Sequence, residues 1–113
     1  MIRKSDEFTL RPNARGGEGA IEMHTLLTSE EVAGRVTLCS RVVVRPHSSI
    51  GYHAHPDDVE YYCILSGKGV FTGADGAPEP CAAGDVCLIH KGDSHGLENP
   101  NDEPLELLAV IVE

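Results

Sequence analysis

The feature that most constrains this chain is the density of turn residues from Gly19 onward. Glycine, proline and an Asp75-Gly76 pair recur so closely that no stretch is left for a helix of ordinary length. What lies between the turns alternates. In Val36–Val44, Val36, Leu38, Val42 and Val44 fall on one side and Thr37, Cys39, Arg41 and Val43 on the other, the period of two that marks a strand with one buried face. Residues 20–28 read the same way, with Ile21, Met23, Thr25 and Leu27 set against Glu22 and His24, so that His24 is expected on a polar face. Further strands are predicted over residues 50–55, 59–65, 70–72 and 85–89, through His95 and Leu97, and over Leu105–Val112, whose two faces are both apolar. Asp75-Gly76 predicts a two-residue hairpin turn. Residues 29–33 have room for one helical turn. The chain is therefore predicted to be all-β, a sandwich or barrel of short strands.

At 113 residues it can bury one core, so the expected organisation is a single domain over 19–113, preceded by an extended N-terminal arm over 1–18 that either leads in or pairs with a partner. With no Trp and five Phe and Tyr in all, that core is aliphatic. Eighteen acidic against nine basic residues, a formal charge of −9, disfavour nucleic acid and anionic membrane surfaces and leave a small molecule or a protein as the expected partner. No signal-like or membrane-length apolar run is present, which predicts a cytoplasmic protein. Cys39, Cys63, Cys81 and Cys87 form no C-x2-C pair and read as reduced, mostly buried thiols.

One constellation carries chemistry. His53 and His55 are two apart, so in a strand both imidazoles project to the same side. Pro56-Asp57-Asp58 turns the chain back, and Glu60 at the head of the returning strand can face the same space, followed by Tyr62 and Ile64. His95, from a different hairpin, completes a set of three imidazoles and one carboxylate. This is the donor set of a divalent metal site, and iron, manganese, nickel, cobalt, copper and zinc all fit it.

These residues resemble the two motifs of the cupin superfamily, G-x5-H-x-H-x3,4-E-x6-G and G-x5-P-x-G-x2-H-x3-N. His53, His55, Glu60 and Gly67 match the first; Gly84, Gly92, His95 and Asn99 match the second, across a short spacing of sixteen residues between Gly67 and Gly84. His47 stands where the first glycine is expected and His90 where the proline is expected. The resemblance implies a conical jelly-roll barrel of six to eight strands, usually a homodimer, with the metal held by His53, His55, Glu60 and His95 and a loop tied down by Asn99. It also implies a choice of activities. Dioxygenase-type chemistry on a small anionic organic molecule is the leading expectation. A metal-dependent sugar isomerase, epimerase or lyase and a non-catalytic ligand-binding protein are the alternatives.

Around this centre, Tyr62 is the candidate catalytic residue, a phenol able to move a proton, against the plain alternative of a barrel-filling aromatic. Arg41 and Arg45 share a strand face, and an inward arginine would bind a carboxylate. The apolar residues of that strand mark the other face as its core side, so both are expected at solvent or an interface. His24, His47 and His90 are read as solvated or interface histidines.

Overall fold

The computed structural model describes residues 1–4 and 7–113; Ser5 and Asp6 of the predicted arm lie outside the described residues. Among the described residues ten strands follow in chain order: β1 Thr9–Pro12, β2 Ala20–Leu27, β3 Val36–Val44, β4 Ser48–Ala54, β5 Val59–Ser66, β6 Lys68–Thr72, β7 Pro78–Ala82, β8 Val86–Ile89, β9 Ser94–Asn99 and β10 Leu105–Val112. The only helical pieces among the described residues are 3₁₀ turns at Ala14–Gly16 and Glu30–Val32. Two antiparallel sheets result, one of six strands in the order β1-β2-β3-β10-β5-β8 and one of four in the order β4-β9-β6-β7. They face each other as the two walls of a jelly roll.

The core between them is made by the alternation already visible in sequence. Val42, Val44, Ile64, Leu105, Leu107, Ile89 and Leu97 are each at most 2% exposed, and burying each such side chain contributes about 1.5–3 kcal/mol. β10 is central to the large sheet, paired with β3 on one side and β5 on the other, which explains why both its faces are apolar.

Two strands escape sequence reading, and both contain proline. β1 and β7 are edge strands of their sheets, where a residue without an N–H costs no ladder bond. They account for the ten strands found against the six to eight expected. β1 pairs with β2 of its own chain, Leu10 opposite Glu22. The Asp75-Gly76 turn forms, with the Gly76 N–H donating to Gly73 O at 3.0 Å, but within a five-residue connection between Thr72 and Pro78 and not as a two-residue hairpin.

His24 departs from expectation. It lies on the outer face with Glu22, yet is only 5% exposed. The ring of Phe8 covers it at 5.1 Å and Arg41 approaches its Nδ1 at 3.2 Å. A register shift between Thr25 and Leu27 then leaves Thr25 and Leu27 exposed. Arg41 and Arg45 do point away from the core, paired with Glu106 and Glu22 respectively. All four cysteines are free, Cys81 and Cys87 buried and Cys39 and Cys63 half-buried. No helix among the described residues is long and apolar enough to cross a membrane.

Candidate metal centre

His53 and His95 are directly opposite each other in the β4–β9 ladder, and a bulge puts them there. Ile50 pairs with Leu97 and His53 with His95, so Gly51 and Tyr52 together oppose Gly96 alone. Ile50 and His53 thus face inward although they are three positions apart, a spacing that a regular strand would place on opposite faces. His55 follows just beyond β4, held by its N–H donating to Asp93 O at 2.8 Å and its carbonyl accepting from the Gly92 N–H at 2.7 Å. Glu60 and Tyr62 come from β5, where strand parity turns Glu60, Tyr62 and Ile64 inward and leaves Tyr61 and Cys63 outside. The β4–β9 ladder thus delivers His53 and His95, the segment just past β4 delivers His55, and β5 delivers Glu60 to the same space.

The four ligand atoms lie within 4.8 Å of one another. Nε2 of His55 is 3.2 Å from Nε2 of His53, 3.0 Å from Nε2 of His95 and 3.0 Å from Oε1 of Glu60, and Nε2 of His95 is 2.9 Å from the same oxygen. His55, Glu60 and His95 are buried and His53 half-buried. Tautomers follow from the other ring nitrogens. His53 Nδ1 is 2.7 Å from Gly51 O, which can only accept, and His55 Nδ1 is 2.7 Å from a carboxylate oxygen of Asp58. With protons held there, two Nε2 lone pairs confront each other and a carboxylate inside a buried space. A shared cation resolves that repulsion, so the donor set fits a divalent metal, and Gly51 and Asp58 serve as the outer partners that fix ring orientation. Burial depresses the pKa of His53 below the usual histidine value, which keeps its nitrogen available.

Tyr62 is 3% exposed, with its ring 5.1 Å from that of His95 and edge-on to Phe71 at 6.5 Å. Burial, and then the charge of Glu60, push the phenol pKa well above the usual tyrosine value. The group keeps its proton. Asn99 is fully buried and its amide nitrogen lies within 3.2 Å of the carbonyls of Val44, Arg45 and Glu103, closing the β9–β10 loop. His47, at the glycine position of the motif, has φ of 56°, so the chain keeps the left-handed conformation without the glycine. It is exposed and paired with Asp102, and His90 is exposed near Asp93, as expected.

The ligand group opens onto a cavity of about 530 Å³. Its walls include Ile21, Met23, Val42, Ile50, Tyr62 and Ile111, and its rim includes Arg11, Asn13 and Arg15 of the arm. The arm residues went unrecognised in sequence because a polar, glycine-containing lead-in has no period to place it.

Residues 40–111 match the model of the cupin domain, and the chain belongs to the cupin family. It is 42% identical to the oxalate-binding protein of Thermotoga maritima across 99% of this chain and 93% of that one. The crystal structure of a predicted oxalate decarboxylase from the same organism superposes with a TM-score of 0.92, at 42% identity, over 99% of this chain and 98% of that one. A cupin 2 conserved barrel domain protein from Salinispora arenicola superposes with a TM-score of 0.80, at 29% identity, over 100% of this chain and 88% of that one.

Proposed function

We propose that this protein is a metal-dependent binder of small carboxylate anions, with oxalate the first candidate, and that His53, His55, Glu60 and His95 hold the metal. The observation that carries the reading is the cluster of facing Nε2 atoms beside the Glu60 carboxylate at the bottom of a cavity of small-molecule size. The 42% identical relative is named for oxalate binding. When bound, a divalent transition metal supplies a Lewis-acid centre for carboxylate oxygens and, if redox-active, a site for dioxygen. Tyr62 lines the cavity together with Glu60 and keeps its proton, so the phenol is a proton donor beside the anion and the candidate catalytic residue.

Titration of oxalate into metal-loaded and metal-stripped protein tests this reading. Heat of binding is expected only with metal, and equal binding by both forms overturns it. Catalysis is the second reading, supported by the buried phenol and by the description of the T. maritima structure as a predicted oxalate decarboxylase. Dioxygenase-type turnover would show as oxygen uptake by iron-loaded protein. Turnover under strict anaerobiosis would instead indicate decarboxylation or isomerase-type chemistry.

The protein is further proposed to be a cytoplasmic homodimer. On the outer face of the large sheet Val86 and Leu88 are 62% and 50% exposed, beside half-buried Tyr61, Cys63 and Leu108. Such a continuous apolar face suits a second copy. Sedimentation equilibrium giving a monomer mass at micromolar concentration overturns that part. The four free thiols support the location.

A further inference from the structure

We propose that Arg15, carried on the N-terminal arm, selects the ligand by binding the carboxylate oxygens that face away from His53, His55, Glu60 and His95, and so favours a small dianion. This rests on the function proposed above and names the residue that reads the ligand's second charge.

The placement of Arg15 is built. Its backbone has φ 53° and ψ 32°, the left-handed region that a non-glycine residue enters only at a steric cost. A tight turn holds it there: the Gly16 N–H donates to Asn13 O at 3.0 Å, the Gly17 N–H to Ala14 O at 2.9 Å, and the Asn13 side-chain amide to Gly17 O at 3.1 Å. The turn is then latched to β4. The Glu18 N–H donates to Ser49 Oγ at 2.8 Å and the Ser49 N–H to Glu18 O at 2.8 Å. Two glycines allow the approach, since a Cβ on Gly51 would collide with the carbonyl of Arg15 and one on Gly17 with the carbonyl of Ser49. A strained residue fixed by its surroundings at the rim of a cavity is the pattern of a positioned functional group.

Its charge is also available. Arg3, Arg41 and Arg45 are each paired with a glutamate. Among the described residues no carboxylate pairs with Arg15, in a chain with twice as many acids as bases. Arg15 lines the cavity with the metal ligands, and its charge is felt at both His53 and Tyr62. Three neutral imidazoles and one carboxylate around a divalent ion carry a net charge of about +1. Arg15 adds positive charge on the same cavity, which also has Arg11 in its lining, and this favours a dianion over a monoanion. Its planar fork suits two carboxylate oxygens at once.

The test is calorimetric titration of metal-loaded wild type, Arg15→Ala and Arg15→Lys with oxalate and with formate, alongside metal stoichiometry and a melting curve. Arg15→Ala is expected to lose tenfold or more in oxalate affinity while formate affinity and metal content stay within twofold of wild type. Arg15→Lys is expected to fall between them, and it carries the test if the alanine variant does not fold. Gly17→Ala, which touches no metal ligand but displaces the turn, is expected to weaken oxalate in the same selective way. Wild type that binds oxalate together with Arg15 variants that bind it equally well overturns this assignment alone. An equal loss for oxalate and formate also overturns it, since Arg15 would then not read the second carboxylate. Metal-loaded wild type that takes up no oxalate overturns the proposed function and this assignment with it.

Discussion

Nδ1 of His55 lies 2.7 Å from a carboxylate oxygen of Asp58, three residues further along in the turn that joins the two ligand-bearing strands β4 and β5. The turn thus does more than reverse the chain. It also orients an imidazole of the candidate metal site, with the carboxylate behind the ring. Asp58→Asn keeps the shape and removes the charge, so metal affinity is expected to fall by about 10- to 100-fold with the fold intact. Competition against a chelator of known affinity checks this, and an unchanged metal dissociation constant would show that Asp58 does not support the site.

His47 occupies a left-handed conformation where the family motif has glycine. Replacing it by glycine removes a steric cost of about 1–2 kcal/mol, partly offset by the greater freedom of glycine in the unfolded chain and by loss of the exposed pair with Asp102. His47→Gly is therefore expected to raise the unfolding free energy by up to about 1 kcal/mol, read as a higher urea midpoint. A lower midpoint would mean that the Asp102 contact outweighs the strain.

Tyr62 lines the cavity beside Glu60 and packs its buried ring against His95. Tyr62→Phe keeps the ring, so metal stoichiometry is expected to hold at the wild-type value. Stability is expected to change by no more than about 1 kcal/mol, since the ring and its packing are kept. If the protein turns over its ligand, the rate is expected to fall and the pH profile to lose its alkaline limb. Unaltered turnover would reduce Tyr62 to a packing residue.

Glu31 supplies the pH dependence most simply read. The Arg3 guanidinium at 2.8 Å, and then the Thr28 N–H at 2.8 Å, hold its carboxyl down to about 2 from 4.5. A folded-state value below the unfolded one means that the contribution is fully present above pH 4.5 and is lost as pH falls toward 2. Glu31→Gln is accordingly expected to be less stable than wild type at pH 6 and to coincide with it near pH 2. Urea midpoints across that range check the sign, and a difference growing toward low pH would refute it.

The ladder of β5 was legible because its strand is regular: parity alone places Glu60, Tyr62 and Ile64 together, and they are together. His53 and His55 were legible from their spacing. Opposition of His53 to His95, however, depends on the bulge at Gly51 and Tyr52, which a two-residue period cannot foresee. His24 was misplaced for a related reason. Alternation separates the faces of one strand but does not say what lies across them, and Phe8 and Arg41 cover the side that reads as solvent. Arg15 was hidden by the same limit, since its position depends on how closely Gly17 and Gly51 let two backbone segments meet.

β10 comes last in chain order yet sits between β3 and β5. Until Leu105–Val112 arrives, neither β3 nor β5 has its inner neighbour, and every pairing it makes spans about 40 to 75 residues. Contacts of that range make folding slow relative to a chain built from local hairpins. Glu60 on β5 is flanked by Ile89 of β8 and Ile111 of β10, so its second neighbour comes from the last strand of the chain. The position of Glu60 therefore depends on a sheet that is complete only when the C-terminal strand has inserted at its centre.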